Sequence, residues 1–148
     1  MKIRKAVLED ASGIAKVHVD SWRTTYKEIL PADFLEKLTY SSREELWQNA
    51  IPVSDVFVAE DSSGQIVGFA TAGEERSDDY PPYDGELYAI YILAEQQNQG
   101  IGKKLVQQAV ESLKKAGKQS MLVLVLKDNP AIHFYKALGA KEIDAIDI

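Results

Sequence analysis

The stretch of chain from residue 86 to residue 126 constrains the fold more than any other. It opens with ELYAIYIL, which becomes apolar on both faces towards its end and so has the pattern of a central strand. Apolar residues then recur at helical spacing over 101–116, Gly117 follows as a stop signal, and residues 121–126 form an unbroken apolar run typical of a buried strand. A strand, a helix and a second strand in this order predict a right-handed parallel crossover.

Strand signals that precede this crossover predict antiparallel pairing. Residues 2–7 alternate as a strand would, and the strand-like segments 56–60 and 65–73 flank a polar turn at 61–64. With the strand at 86–93 they form an antiparallel meander. The predicted fold class is therefore mixed α/β, with a central mixed sheet that is mostly antiparallel, one parallel βαβ crossover, and helices on both faces.

Three helices are predicted between the first two strands. An apolar stripe over 14–22 with acidic residues before it indicates the first helix, and Pro31 opens a short second one. Ser42 and Glu45 have the spacing of a capping box and predict a third helix. Pro52 is expected to end it.

The segments outside these elements also carry local signals of structure. Residues 77–85 are polar and contain two prolines, which predicts a loop. Asn129 followed by Pro130 predicts the start of a last helix, and Gly139 predicts its end. Residues 140–148 are expected to form a final strand.

Composition excludes several classes of function. The 148 residues contain no repeat, low-complexity tract or linker, so one domain spanning 1–148 is expected. No cysteine is present, which excludes disulfides, thiolate metal sites and cysteine nucleophiles, and His18 and His133 lie too far apart to suggest a metal site. The net charge of −6 lacks the positive footprint of a general nucleic-acid binder, and no apolar run approaches the length of a spanning helix. The charged N-terminus is also unlike a signal peptide. We therefore expect a cytoplasmic protein without nucleic-acid or membrane partners.

The sharpest local signal is the run QNQGIGKK at 97–104, which follows the central strand and opens the amphipathic helix. A helix start offers free N–H groups and the positive end of the helix dipole. Gly100 and Gly102 lack the Cβ atoms that would hold a phosphate away, and Lys103 and Lys104 add positive charge. These features predict a pyrophosphate cradle, with an ordinary glycine-containing helix start as the alternative. The dinucleotide fingerprint fails because position 105 is Leu, which disfavours a nucleotide-binding oxidoreductase.

The run at 97–102 resembles the coenzyme A motif of GNAT-type N-acetyltransferases, Gln/Arg-x-x-Gly-x-Gly/Ala after a central strand. The segment NPAIHFYKALGA at 129–140 is similar to the N-x-x-A-x-x-F-Y-x-x-x-G-F element of that family, and the predicted element order matches over almost the whole chain. Residues 18–26 also resemble the first helix of many bacterial members. The chain departs from the family pattern at Ala94, where Pro is common, and at Ala140, where Phe is common. The sequence stops where family members usually continue through a seventh strand, so either that strand is missing or a partner subunit covers the exposed edge, and the second alternative predicts a homodimer.

The resemblance implies acetyl-CoA as cosubstrate and no metal. The molecule would lie between the strands at 86–93 and 121–126, with the amide of Ile92 polarising the thioester carbonyl and the pyrophosphate on the amides of 98–103. Asn129 would contact the pantetheine arm, although capping the last helix explains this residue equally well. The implied cofactor-binding residues are Ile90, Tyr91, Ile92, Gln97, Asn98, Gln99, Gly100, Ile101, Gly102, Lys103 and Asn129.

Acetyl transfer to an amine requires a base and an acid. An alkyl amine with a pKa near 10.4 is only about one part in a thousand neutral at pH 7, so a base or a water relay must remove a proton. Glu86 at the start of the central strand is the candidate base, and a solvent-facing strand-end carboxylate is the alternative. Tyr135 matches the family position that often protonates the leaving thiolate, and a core aromatic is the alternative.

The expected function is acetyl-CoA-dependent acetyl transfer to a primary amine by direct attack on the thioester. The alternative is a non-catalytic acyl-CoA-binding regulatory module, which would share the cradle. The acceptor is expected to be a small-molecule or peptide amine, and the acidic loop at 78–86 favours a cationic one. Aromatic and histidine side chains are interpreted as core residues on the first and third helices (His18, Trp22, Trp47), as a helix surface residue (His133) and as candidate lining of the acceptor pocket (Tyr80, Tyr83, Tyr88, Tyr91).

Overall fold

A mixed β-sheet is the centre of the computed structural model, which describes residues 1–76, 79–80, 82–97, 99–126 and 128–143. Within these residues the sheet has five strands in the order β1-β2-β3-β4-β5, with antiparallel pairing up to β4 and a parallel β4–β5 pair. The predicted fold class is thereby confirmed. The strands are β1 (Lys2–Lys5), β2 (Asp55–Glu60), β3 (Ile66–Glu74), β4 (Gly85–Ile92) and β5 (Leu122–Val123).

Helices cover both faces of this sheet. They are α1 (Ala11–Thr25), α2 (Ala32–Glu36), α3 (Tyr40–Ala50), α4 (Ile101–Lys115) and α5 (Ala131–Ala137). Two neighbouring residues of β3 show the division, because successive side chains of a strand point to opposite faces. The ring of Phe69 contacts Trp47 of α3, whereas the α-carbon of Gly68 faces Leu105 of α4. We call the first side the α1 face, since α1 also packs there, and the second the α4 face.

A bulge in β4 separates two halves of that strand. Thr71 pairs with Ala89 and Ala72 pairs with Leu87, so Tyr88 is an extra residue without a partner in the register. The parallel pairing of β4 with β5 ends at Leu87, beside the bulge. Because a bulge bends the strand that carries it, β4 diverges from the chain beyond β5 while it keeps its pairing with β3.

The predicted long strand over 121–126 is therefore wrong in its extent. Pairing holds only Leu122 and Val123 in the sheet, and Leu124 beyond them is 67% exposed. The rest of the run lies outside the sheet, so β5 leaves the edge of β4 beyond Leu87 unpaired; we call the space along this edge the gap. Residues 140–143 do not form the predicted final strand, and 144–148 lie outside the described residues.

The helix boundaries follow local capping interactions. Thr39, rather than the predicted Ser42, caps α3, because its hydroxyl accepts the Ser42 N–H at 3.2 Å. Arg4 fixes the start of α1 by donating to both carboxylate oxygens of Asp10, at 2.7 and 2.9 Å, and to Glu60 at 2.8 Å. In the described part of the chain, no helix has the length and apolar character needed to cross a membrane.

Candidate active site

The outer edge of β4 beyond the bulge carries backbone groups that β5 does not pair. Leu93 donates its N–H to Val67 of β3 at 2.9 Å. Since backbone groups alternate sides along a strand, the amide of Tyr91 also points to β3, and those of Ile90 and Ile92 point into the gap. An extended chain with amide groups can pair with such an edge as an added strand.

This alternation refines the predicted cofactor contacts on β4. Ile90 and Ile92 present backbone donors to the gap, whereas the backbone of Tyr91 is directed to β3. The carbonyl of Ile92 accepts a hydrogen bond from the side chain of Gln97 at 3.1 Å. The Gln97 side chain therefore ties the turn before α4 to the end of β4.

The N-terminus of α4 lies directly after that turn. Gly100 is the N-cap with φ of +79°, a left-handed conformation that favours glycine, and a Cβ at this position would meet open space. Lys104 is the first residue whose N–H bonds back into the helix, to Gly100 at 3.2 Å. The preceding amides, from Ile101 to Lys103, have no intrahelical acceptor, and the side chains of Lys103 and Lys104 are exposed beside them. The predicted contact at Asn98 falls outside the described residues.

Gly102 has a different role from the one predicted. A Cβ there would lie 3.1 Å from the ring of Phe134 and 3.3 Å from the side chain of Ile92. Its missing side chain therefore lets α4 pack closely against α5 and β4, and does not make room for a phosphate. Of the two glycines, only Gly100 faces open space.

Asn129 and Tyr26 close the α1 side of the gap. Asn129 is buried, with 7% of the residue exposed, and its side-chain amide donates a hydrogen bond to the Tyr26 hydroxyl at 3.1 Å. Its carbonyl oxygen accepts the Ala131 N–H at 2.9 Å, so Asn129 binds the first amide of α5 as predicted, although the N-cap itself is Pro130, one residue later than predicted. Contact with a pantetheine arm stays a prediction, since both polar ends of this side chain already bind within the protein.

Tyr135 is half-buried on α5 and packs against Phe134 with ring centroids 5.3 Å apart. Burial, with a smaller contribution from nearby Tyr26, raises the pKa of Tyr135 to about 12. The phenol is therefore protonated at neutral pH and can donate a hydrogen bond.

Glu86 is buried, not solvent-facing, with 5% of its side chain exposed. Its carboxylate accepts the backbone N–H of Arg76 at 3.1 Å and the Arg76 guanidinium at 2.8 Å. The neighbouring Gly85 faces Leu113 of α4, so Glu86 points to the opposite, α1 face.

Arg76 was not identified from the sequence, although it is the main partner of the candidate base. Its guanidinium lies over the ring of Tyr88, 4.0 Å from the centroid, and the hydrogen bond to Glu86 raises the pKa of Arg76. The two residues are ten positions apart and meet because Gly73 of β3 pairs with Glu86 of β4. No local sequence pattern signals this contact.

The aromatic residues assigned to the core are confirmed in that role and form a wall on the α1 face. His18 stacks on Tyr91, with centroids 5.9 Å apart and an interplanar angle of 10°, and accepts the indole N–H of Trp47 on Nδ1 at 3.1 Å. Burial, with a smaller contribution from the charge of Arg43, lowers the pKa of His18 to about 4. His18 is therefore a neutral imidazole that carries its proton on Nε2.

Asp84 of the acidic loop is engaged within the protein. Asp84 accepts hydrogen bonds from the backbone N–H groups of Gln119 and Ser120 and from the Ser120 hydroxyl. It thereby fixes the loop to the segment before β5. Asp78 lies outside the described residues, and in the part of the chain that is described no three acidic or histidine side chains are grouped to hold a metal ion.

The open β4 edge and the start of α4 together match the chemistry of coenzyme A. The edge offers the amides of Ile90 and Ile92 to an amide-bearing arm. The helix start offers backbone donors, the positive end of a helix dipole and two lysines to a diphosphate.

Comparisons with known proteins agree with this geometry. Residues 19–140 match the sequence model of the family described as "Acetyltransferase (GNAT) family". YuaI of Bacillus subtilis (strain 168), an uncharacterized N-acetyltransferase, is 48% identical over 141 residues, which cover 95% of this chain and 80% of that protein. A mycothiol acetyltransferase of Arthrobacter sp. (strain FB24) is 32% identical over 89 residues, and these cover 60% of this chain but only 28% of that longer protein. The PaiA N-acetyltransferase from Thermoplasma acidophilum, solved in complex with coenzyme A, superposes on this chain with a TM-score of 0.82. The two sequences are 22% identical, and the superposition covers 99% of this chain and 92% of the PaiA chain, so the two proteins share a fold.

Proposed function

The chain belongs to the acetyltransferase (GNAT) family, and from that premise we propose that it transfers the acetyl group of acetyl-CoA to a primary amine that attacks the thioester directly. The observation that carries the proposal is the free edge of β4 next to the start of α4, whose N-cap Gly100 makes no side-chain hydrogen bond to the first amides of the helix. Ile90, Ile92 and the amides of 101–103 would hold the cosubstrate, and Lys103 and Lys104 would offset its phosphate charge. Acetyl-CoA supplies an activated acyl carbon at the thioester.

The position of Glu86 indicates which strand amide meets the thioester carbonyl. At about 3.3 Å per residue, Glu86 lies roughly 13 Å from Ile90 and roughly 20 Å from Ile92 along β4. A general base must reach the proton directly or through bound water, so the nearer of the two amides is the better candidate, with water relaying the proton from the amine to Glu86. We therefore assign carbonyl polarisation to the Ile90 amide in place of Ile92, with Glu86 as the base and Arg76 as the residue that orients its carboxylate.

Tyr135 serves better as a hydrogen-bond donor than as an acid that gives up its proton completely. Its pKa of about 12 exceeds the ordinary thiol value of about 8.5 by about 3.5 pKa units, which makes full transfer uphill by about 5 kcal/mol. A hydrogen bond from the phenol to the departing sulfur avoids that cost and still stabilises the negative charge.

The test is release of free thiol from acetyl-CoA in the presence of a panel of amines, with coenzyme A affinity measured separately by calorimetry. Wild-type protein should turn over, and Glu86→Gln and Tyr135→Phe should lower kcat while the affinity for coenzyme A is retained. Glu111→Gln on the exposed side of α4 and Tyr40→Phe on α3 are matched controls that should behave as wild type. Tight coenzyme A binding with no turnover of any amine would instead support the non-catalytic acyl-CoA-binding module.

A further inference from the structure

The residues Arg76, Glu86 and Tyr88 form a charged group at the bulge end of the open β4 edge, which we call the Arg76 cluster. Glu86 points to the α1 face, where the aromatic wall around Tyr91 also lies. Tyr88 is the bulge residue itself. The cluster therefore borders the part of the edge where the proposed reaction takes place.

Exposure differs sharply between the two charges of this cluster. The Arg76 side chain is 59% exposed, whereas that of Glu86 is 5% exposed. A molecule that approaches the cluster therefore meets the guanidinium first and the carboxylate beneath it.

Arg76 is also held in place, although it is exposed. Its backbone N–H and its guanidinium both donate to Glu86, at 3.1 and 2.8 Å, and the guanidinium lies on the ring of Tyr88. Because Nε and Nη2 face Glu86 at 3.5 and 2.8 Å, a ligand carboxylate would bind at the other edge of the guanidinium, whose planar N–H groups match two carboxylate oxygens.

The charge of the cluster favours an acceptor that carries a carboxylate of its own. Glu86 is already paired with Arg76, so the charge that an acceptor meets at the exposed side of the pair is the guanidinium, although Glu74 and Glu75 add negative charge nearby. An amine that carries a carboxylate on the neighbouring carbon brings its own compensating charge to Arg76 and places its nitrogen near Glu86.

We propose that the acceptor is a free α-amino acid, whose carboxylate is bound by Arg76 while its amino group faces Glu86. This inference rests on the proposed function and specifies its substrate class. It replaces the expectation of a cationic acceptor, which depended on acidic loop residues of which Asp84 is engaged within the protein.

The experiment compares each α-amino acid with the same molecule lacking its carboxylate. Suitable pairs are L-phenylalanine with phenethylamine, L-leucine with isoamylamine, and L-lysine with cadaverine. For wild type we expect kcat/KM to be higher for the amino acid of each pair. A charge-assisted hydrogen bond corresponds to about 10- to 100-fold, and Arg76→Gln should remove that preference by raising KM for the amino acid alone. Any fall in kcat that comes from losing the orientation of Glu86 should be equal for both members of a pair.

Four variants separate effects on binding from effects on folding. Arg76→Lys keeps the charge but loses the planar fork, so we expect a partial loss of the preference. Arg76→Gln leaves the buried Glu86 carboxylate without its partner and can therefore destabilise the fold. If the single variant unfolds, the double variant Arg76→Gln/Glu86→Gln replaces it in the binding measurements. Lys5→Gln, which removes an exposed cation paired with Asp55 at 3.6 Å, is the control for charge change alone.

Binding is measured independently of turnover by calorimetry with N-acetyl-L-phenylalanine and N-acetylphenethylamine in the presence of coenzyme A. Tighter binding of the carboxylate-bearing product by wild type, lost in Arg76→Gln and in the double variant, supports the inference even without turnover. Equal kcat/KM within the pairs, together with equal product binding, overturns it while the acetyltransferase function stands. Absence of turnover with every amine counts against the proposed function instead, and leaves the calorimetric comparison to decide on the carboxylate site.

Discussion

Protonation of His18 should make the folded protein less stable between pH 7 and pH 5. The imidazole is half-buried among rings of α1, α3 and the sheet, and its Nδ1 accepts the indole N–H of Trp47 at 3.1 Å. A proton on Nδ1 would break that hydrogen bond and place a charge in an apolar environment. Burial accordingly lowers the pKa of His18 from 6.5 to about 4.

The sign and size of the effect follow from the difference in proton binding. The unfolded chain binds this proton more tightly, so the stabilisation is fully present above pH 6.5 and is lost as the pH falls towards 4. The 2.5-unit difference in pKa limits the loss to about 3 kcal/mol, of which about 2 kcal/mol is lost between pH 7 and pH 5. Asp10, whose pKa is lowered mainly by its hydrogen bond with Arg4, contributes its own loss only as the pH falls below about 4.

Urea unfolding at pH 7, 6 and 5 measures this dependence directly. We expect His18→Gln to have a flatter pH profile over this range, because an amide can accept from Trp47 without titrating. The exposed His133 provides the matched control, and His133→Gln should keep the wild-type slope. An unchanged slope in His18→Gln, or a wild-type protein equally stable at pH 7 and pH 5, would refute the reasoning.

Three further predictions concern the active site. Gly102→Ala should lower the free energy of unfolding by up to about 2 kcal/mol, because the new methyl lies 3.1 Å from the Phe134 ring and this crowding outweighs a gain of about 1 kcal/mol in helix propensity; Phe134→Leu in the same chain should recover part of the loss. Replacing Lys103 and Lys104 by Gln should weaken coenzyme A binding and reduce the salt dependence of that binding, both measured by calorimetry. The same replacement at Lys114 and Lys115 in the last turn of α4 is the control and should change neither quantity. Tyr135→Phe should lower kcat for acetyl transfer about 10- to 100-fold with KM for acetyl-CoA unchanged, and a kcat equal to wild type would remove the phenol from the reaction.

The parts of the fold that were predictable are those encoded by local pattern. The amphipathic stripe of α4, the glycine that ends it and the polar turn between β2 and β3 each depend on neighbours within a few residues, and the structure agrees with them. The length of β5 was not predictable in the same way. An apolar run such as 121–126 has the same composition whether it is paired or borders a gap, and the bulge that decides between them lies on another strand.

The site shows the same limit at individual residues. Gly100 and Gly102 look alike in the motif, yet one needs a left-handed backbone and the other needs room for Phe134, which lies more than thirty positions away. Glu86 could be named from the sequence because it begins a central strand. Arg76 could not, because its contact arises from the register between β3 and β4.

The extra residue in β4 explains why these groups converge on one side of the sheet. Glu86 and Tyr91 are five positions apart, and residues at an odd spacing in a regular strand point to opposite faces. Both nevertheless lie on the α1 face: Glu86 points away from α4, and Tyr91 stacks on His18. The reason is that the bulge at Tyr88 shifts the alternation by one residue. The same residue ends the pairing with β5 and thereby frees the amides of Ile90 and Ile92. One inserted residue therefore opens the edge that would receive the cosubstrate and turns the candidate base towards the face from which the acceptor would approach.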